Sequence, residues 1–144
     1  MEKARILLVD DELSPKKDGP NGSYMWYYTQ ALREAGFEVV EAVGPDFALQ
    51  RLTSKRLKFD LVIIDIMLPP GKAFGGEDTL NGLRTGVSLA RKVQEDYPDL
   101  PILVLTNVLN PNTQRQLEQM PSVRKVLAKA TCTPFQLVDE IREI

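Results

Sequence analysis

The chain has 144 residues, 43% hydrophobic and 26% charged, with a net charge of −2 and a single cysteine, Cys132. That length suits one domain, 1–144, with a core that needs no disulfide or metal as a staple, and the charge gives no reason to expect nucleic acid or an anionic membrane as partner. No apolar run is long enough for a signal peptide or a membrane span, so a soluble cytoplasmic protein is expected, and the absence of histidine excludes imidazole as base, ligand or phosphoryl carrier.

In chain order, "ILLV" at 6–9 is a continuous apolar run, which reads as a strand buried on both faces. Residues 24–35 have helical spacing, with Tyr24, Tyr27, Tyr28, Ala31, Leu32 and Ala35 on one face and Trp26 on the polar side. Ser23 is the expected N-cap and Gly36 the expected C′ residue. "FEVVEAV" at 37–43 is a strand carrying charge, and Gly44-Pro45 opens a helix with Leu49 and Leu52 inward. "LVII" at 61–64 is a second buried strand. A helix over 86–97 aligns Leu89, Ala90, Val93 and Tyr97. "ILVL" at 102–105 is a third buried strand, followed by a weakly patterned helix over 110–119. "VRKVLA" at 123–128 is again a charged strand. Thr133-Pro134 starts a last helix with Leu137, Val138, Ile141 and Ile144 inward.

Strand–helix alternation, five times over, predicts an α/β fold: a doubly wound, five-stranded parallel sheet with helices on both faces. Apolar strands belong at the centre and charged strands at the edges, which gives the order 2-1-3-4-5. Its switch point lies between strands 1 and 3, and ligands bind beyond the carboxyl ends there. Two long connections, 12–23 and 66–86, are rich in Gly, Pro, Asn and Asp and read as loops.

The polar residues that end the strands then fall on one rim. Asp10 and Asp11 end strand 1, Asp65 ends strand 3, Thr106 ends strand 4 and Lys129 ends strand 5. Converging carboxylates repel, and a hard divalent cation with oxygen ligands, Mg²⁺, removes that repulsion. Carboxylate, cation, ammonium and hydroxyl around one point suit a phosphoryl group.

The segments "ILLVDDE", "DLVIIDIMLP", "PILVLTN" and "VRKVLAK", in this order and at strand ends, resemble the receiver (CheY-like) domain of bacterial response regulators, a flavodoxin/CheY-like fold. The resemblance spans the chain outside the two long loops. It implies a regulatory domain rather than an enzyme, phosphorylated on Asp65 by a histidine kinase or histidine phosphotransfer protein. It further implies Mg²⁺ held by Asp10, Asp11, Asp65 and the Met67 backbone carbonyl, with Thr106 and Lys129 on the phosphoryl oxygens. Signalling would pass to a downstream protein, and a homodimer is compatible with this.

The chain departs from the family pattern at Asn107, where a small residue is usual, at Ala130, where a cis proline is usual, and at Val126, where the switch aromatic is usual. No output domain is read after Ile144. Lys72, Glu77, Asp78 and Arg84 lie in the second long loop, which flanks Asp65; they read either as solvated charges or as a lid governing phosphodonor access. Two rival readings accompany the first. One is a pseudo-receiver acting as a phosphorylation-independent scaffold. The other is a small haloacid-dehalogenase-like phosphatase, which ranks low because its acidic pair should come late in the chain.

Overall fold

A computed structural model describes residues 3–13, 25–76, 84–107 and 109–144. Its strands are β1 (Arg5–Val9), β2 (Glu38–Ala42), β3 (Leu61–Ile64), β4 (Ile102–Thr106) and β5 (Val123–Ala128). The helices α1 (Met25–Glu34), α2 (Pro45–Thr53), α3 (Thr85–Asp96), α4 (Pro111–Glu118) and α5 (Pro134–Arg142) alternate with them. All pairings are parallel, in one five-stranded sheet of order β2-β1-β3-β4-β5.

Hydrophobicity sets that order. The runs at 6–9, 61–64 and 102–105 are at most 4% exposed, so they fill the centre. Burying each such side chain is worth about 1.5–3 kcal/mol, far more than any edge position could return. Their side chains alternate between two cores. Leu7, Val9, Val62, Ile64, Ile102 and Val104 pack with Ala48, Leu52, Leu89, Val93 and Leu117, from α2, α3 and α4. Ile6, Leu8, Leu61, Ile63, Leu103 and Leu105 pack with Leu32, Leu137 and Ile141, from α1 and α5. The charged strands β2 and β5 form the edges, and Lys125 of β5 is paired with Glu140 and Glu143 near the end of α5. The β4–β5 register slips by one residue between Ile102 and Leu103, leaving Arg124 as the extra residue of a bulge.

Local signals hold at the helix ends. Gly36 ends α1 at φ +98°, a backbone angle that favours glycine. The Asn110 side chain accepts from the Thr113 amide at 2.8 Å, and Thr133 forms a capping box with Gln136. The weakly patterned fourth helix is therefore secured by its cap and by buried Thr113 and Leu117.

Three expectations change. Tyr27 is 46% exposed; the inward stripe is Met25, Tyr28, Thr29 and Leu32, whose spacing of three, four and seven residues leaves Tyr27 off the face. Trp26 is half-buried, with its ring edge-on to that of Tyr27 at 5.1 Å. Ile144 is 41% exposed, because it lies past the last turn of α5. Ser23 and Tyr24 fall outside the described residues. No helix among the described residues is long and apolar enough to cross a membrane.

Candidate functional site

Asp10 and Asp65 are the first residues beyond β1 and β3, and backbone ladders extended by one bond fix both. The Asp10 amide donates to the Ala42 carbonyl at 3.0 Å, and the Asp65 amide donates to the Val9 carbonyl at 3.1 Å. Both side chains are buried, Asp10 at 1% and Asp65 at 5% exposure. Lys129, the first residue beyond β5, is buried as well and reaches between them. Its Nζ lies 2.7 Å from Asp10 Oδ2 and 3.2 Å from Asp65 Oδ2. The other carboxylate oxygens accept from backbone amides, Asp10 Oδ1 from Glu12 at 2.9 Å and Asp65 Oδ1 from Met67 at 3.3 Å.

A 3-10 turn over Asp11–Leu13 adds the exposed Asp11 carboxylate. One oxygen each from Asp10, Asp11 and Asp65 lie within 4.8 Å of one another, so this trio could hold a metal ion. Glu12 contributes a further charge, with its Oε2 3.5 Å from Lys129 but in no hydrogen bond. The reading of "VDDE" singled out only the two aspartates; the run of acids was the available signal for Glu12.

One ammonium therefore faces four carboxylates. Burial, then repulsion from Asp65, pushes the Asp10 carboxyl up to about 7 despite the bond from Lys129. The same two causes raise Asp11. Burial alone would lower Lys129, but the charges of Asp10 and Asp65 and the bond to Asp10 outweigh it, so its pKa stands above that of an ordinary lysine. The carboxylates outnumber the single ammonium, and their donors are hard oxygens of the kind that bind divalent cations such as Mg²⁺.

Thr106 is fully buried at the end of β4, the strand beside β3, and Met67 is 37% exposed. Asn107 is exposed and Val126 half-buried. At Ala130 the chain bends through a 3-10 turn, Lys129–Thr131. The Tyr28 hydroxyl of α1 donates to the Cys132 carbonyl and, at 3.4 Å, to the Lys129 carbonyl. An aromatic that reads in sequence as plain core thus braces the segment that carries Lys129.

Further residues went unnoticed in the sequence. Gly86, at the start of α3, presses on the backbone behind Asp65: a Cβ there would lie 2.1 Å from the Asp65 carbonyl oxygen and 2.5 Å from Ile66 Cα. Asp46, in the first turn of α2, accepts from the amides of Lys72 at 2.8 Å and Ala73 at 2.9 Å. Gly71 makes room for it, at φ +61° and with its would-be Cβ 2.4 Å from Asp46 Oδ2. These bonds and buried Ile66, Leu68 and Phe74 fasten the first part of the 66–86 connection to the domain. The Lys72 side chain is exposed, and Arg84 donates to Gln116 of α4 rather than standing as a solvated charge. Glu77 and Asp78 fall outside the described residues.

The sequence matches no protein-family model and no curated protein. Solved structures do match. A CheY-like response regulator receiver domain protein from Methanospirillum hungatei JF-1 has a TM-score of 0.74 at 21% identity, covering 99% of this chain and 93% of that one. The chemotaxis response regulator CheY4 of Vibrio cholerae has a TM-score of 0.69 at 23% identity, covering 99% and 98%. The BeF3-activated DrrB receiver domain has a TM-score of 0.70 at 17% identity, covering 99% and 97%. Strand order, helix placement and coverage agree: the fold of this chain is that of the CheY-like response regulator receiver domains.

Proposed function

We propose that residues 1–144 act as one regulatory receiver domain that accepts a phosphoryl group on Asp65. The observation that carries this reading is the buried Asp65 carboxylate, 3.2 Å from Lys129 and within 4.8 Å of the Asp10 and Asp11 oxygens. An Asp65 oxygen attacks phosphorus and forms the new P–O bond; the bond to the donor atom breaks, and the donor leaves with the electron pair. Lys129 neutralises charge on the transferred group, and Thr106 supplies a hydroxyl to it. Asp10, Asp11, Asp65 and the Met67 carbonyl would hold Mg²⁺, which supplies charge neutralisation when bound. The donor would be a histidine kinase or histidine phosphotransfer protein in the cytoplasm, and the output an altered protein–protein contact.

The test is intact-mass spectrometry after treatment with acetyl phosphate and Mg²⁺. The expected result is one added phosphoryl group that is lost in mild base and absent from Asp65→Asn. Equal labelling of Asp65→Asn overturns the reading. An unlabelled chain that still binds its partner favours the scaffold alternative, for which the aliphatic Val126 on β5 is the specific support.

A further inference from the structure

The end of the sheet opposite Asp65 carries a feature that this function does not use. A cleft of about 650 Å³ lies between the segment entering β3 and the segment linking α3 to β4. Its floor is apolar: Leu52, Leu57, Phe59, Tyr97 and Leu100 line it, and Phe59, Tyr97 and Leu100 pack on the core beneath. Hydrogen bonds fix its walls. The Tyr97 hydroxyl donates to the Leu52 carbonyl at 3.2 Å across the cleft, and Ser122 Oγ donates to the Pro98 carbonyl at 3.1 Å. Arg5 ties the other wall, its amide to Asp60 Oδ2 at 2.8 Å and its guanidinium to the Lys58 carbonyl at 3.1 Å. A pre-formed concavity of this size suits a small molecule.

Charge sets the class of ligand. Lys55 and Lys58 stand exposed on the rim with Arg56 beside them. None of the three is in an ion pair among the described residues. Of the acids at the cleft, Asp60 is oriented by the bond it accepts from the Arg5 amide and keeps its charge, and Asp99 is exposed on the far wall. The two lysines and two aspartates of the lining balance, and Arg56 beside them leaves one positive charge in excess, grouped with Lys55 and Lys58 on one side of an apolar floor.

We infer that this cleft binds a small amphipathic anion, an apolar or aromatic body bearing one carboxylate or phosphate. The body replaces water over Phe59, Tyr97 and Leu57, and the anion meets Lys55 and Lys58.

Anilinonaphthalene sulfonate, which combines an aromatic body with one anion, serves as the probe. Titrated into the full chain, it is expected to saturate at one equivalent with enhanced fluorescence. Lys55→Glu/Lys58→Glu, two exposed substitutions that spare the core, should weaken it about ten-fold or more, and added salt should weaken it further. The matched reversal Arg115→Glu/Arg142→Glu, on α4 and α5, should leave it unchanged. Naphthoate and naphthyl phosphate should compete, and the stronger competitor identifies carboxylate or phosphate as the natural group. Non-saturating binding, equal weakening by both double variants, or displacement by an acidic peptide but by neither small anion overturns the inference.

Discussion

Asp10 and Asp46 stand at the same end of the sheet in opposite environments. Asp10 is buried beside Asp65, and burial and repulsion push its carboxyl up to about 7. Asp46 is exposed, and the amides of Lys72 and then Ala73 hold its carboxyl below the ordinary range. The first arrangement costs the fold stability; the second stabilises the fold and fixes a loop. One end of one sheet thus separates the work of the site from the work of holding it still, as expected where function perturbs titration.

The contrast can be broken most forcefully at Lys129. Lys129→Met removes the ammonium between two buried carboxylates, and the expected loss is about 3–5 kcal/mol in urea unfolding at neutral pH. The loss should shrink in acid as the carboxyls take up protons. A small, pH-independent change would mean that the cluster is not electrostatically coupled to stability.

Asp10→Asn should act in the opposite direction. In chelator-treated buffer the folded chain holds the Asp10 proton up to about pH 7. The unfolded chain releases it near the ordinary value of about 3.9. Rising pH therefore costs the wild type stability through that window, a cost the variant escapes. The variant's advantage should be absent below the window, grow through it and level off above it. Added Mg²⁺ should stabilise the wild type more than the variant. A variant less stable than wild type in metal-free buffer at pH 8 would refute the assigned cost of burial and repulsion.

The smallest effect belongs to Asp46→Asn, which keeps one acceptor and loses the charge. A loss of about 1 kcal/mol or less is expected at neutral pH, comparable with a lost helix cap. Here the folded carboxyl is depressed, so its contribution is present above the ordinary range and fades as pH falls through the folded value. Faster hydrogen exchange at the Lys72 and Ala73 amides would locate the effect; unchanged exchange would show that the anchor is dispensable.

Much of this was legible in the sequence. Continuous apolar runs named the central strands, charge named the edges, and strand-end positions named Asp10, Asp65, Thr106 and Lys129. These signals are periodic or local, and burial acts on them directly. Asp46, Gly71, Phe74 and Gly86 were not legible, because their partners lie in distant segments that no periodicity links. Phe74 sits in a Gly-rich stretch that reads as loop, yet its ring completes the core. Tyr28 was legible as core but not as a donor, since only the fold brings residue 132 to it.

The contact at Gly86 has a mechanical consequence. Side chains between packed elements act as springs, because rotamers can shift to absorb a small movement. Between Gly86 and the backbone of residues 65 and 66 there is no side chain, only main chain against main chain, with the Gly86 amide bonded to the Ile66 carbonyl at 2.9 Å. Arg84, two residues before Gly86, is in turn linked to Gln116 of α4. The peptide behind Asp65 and the start of α3 therefore meet without a deformable side chain between them, and the Arg84–Gln116 hydrogen bond joins that same end of α3 to α4.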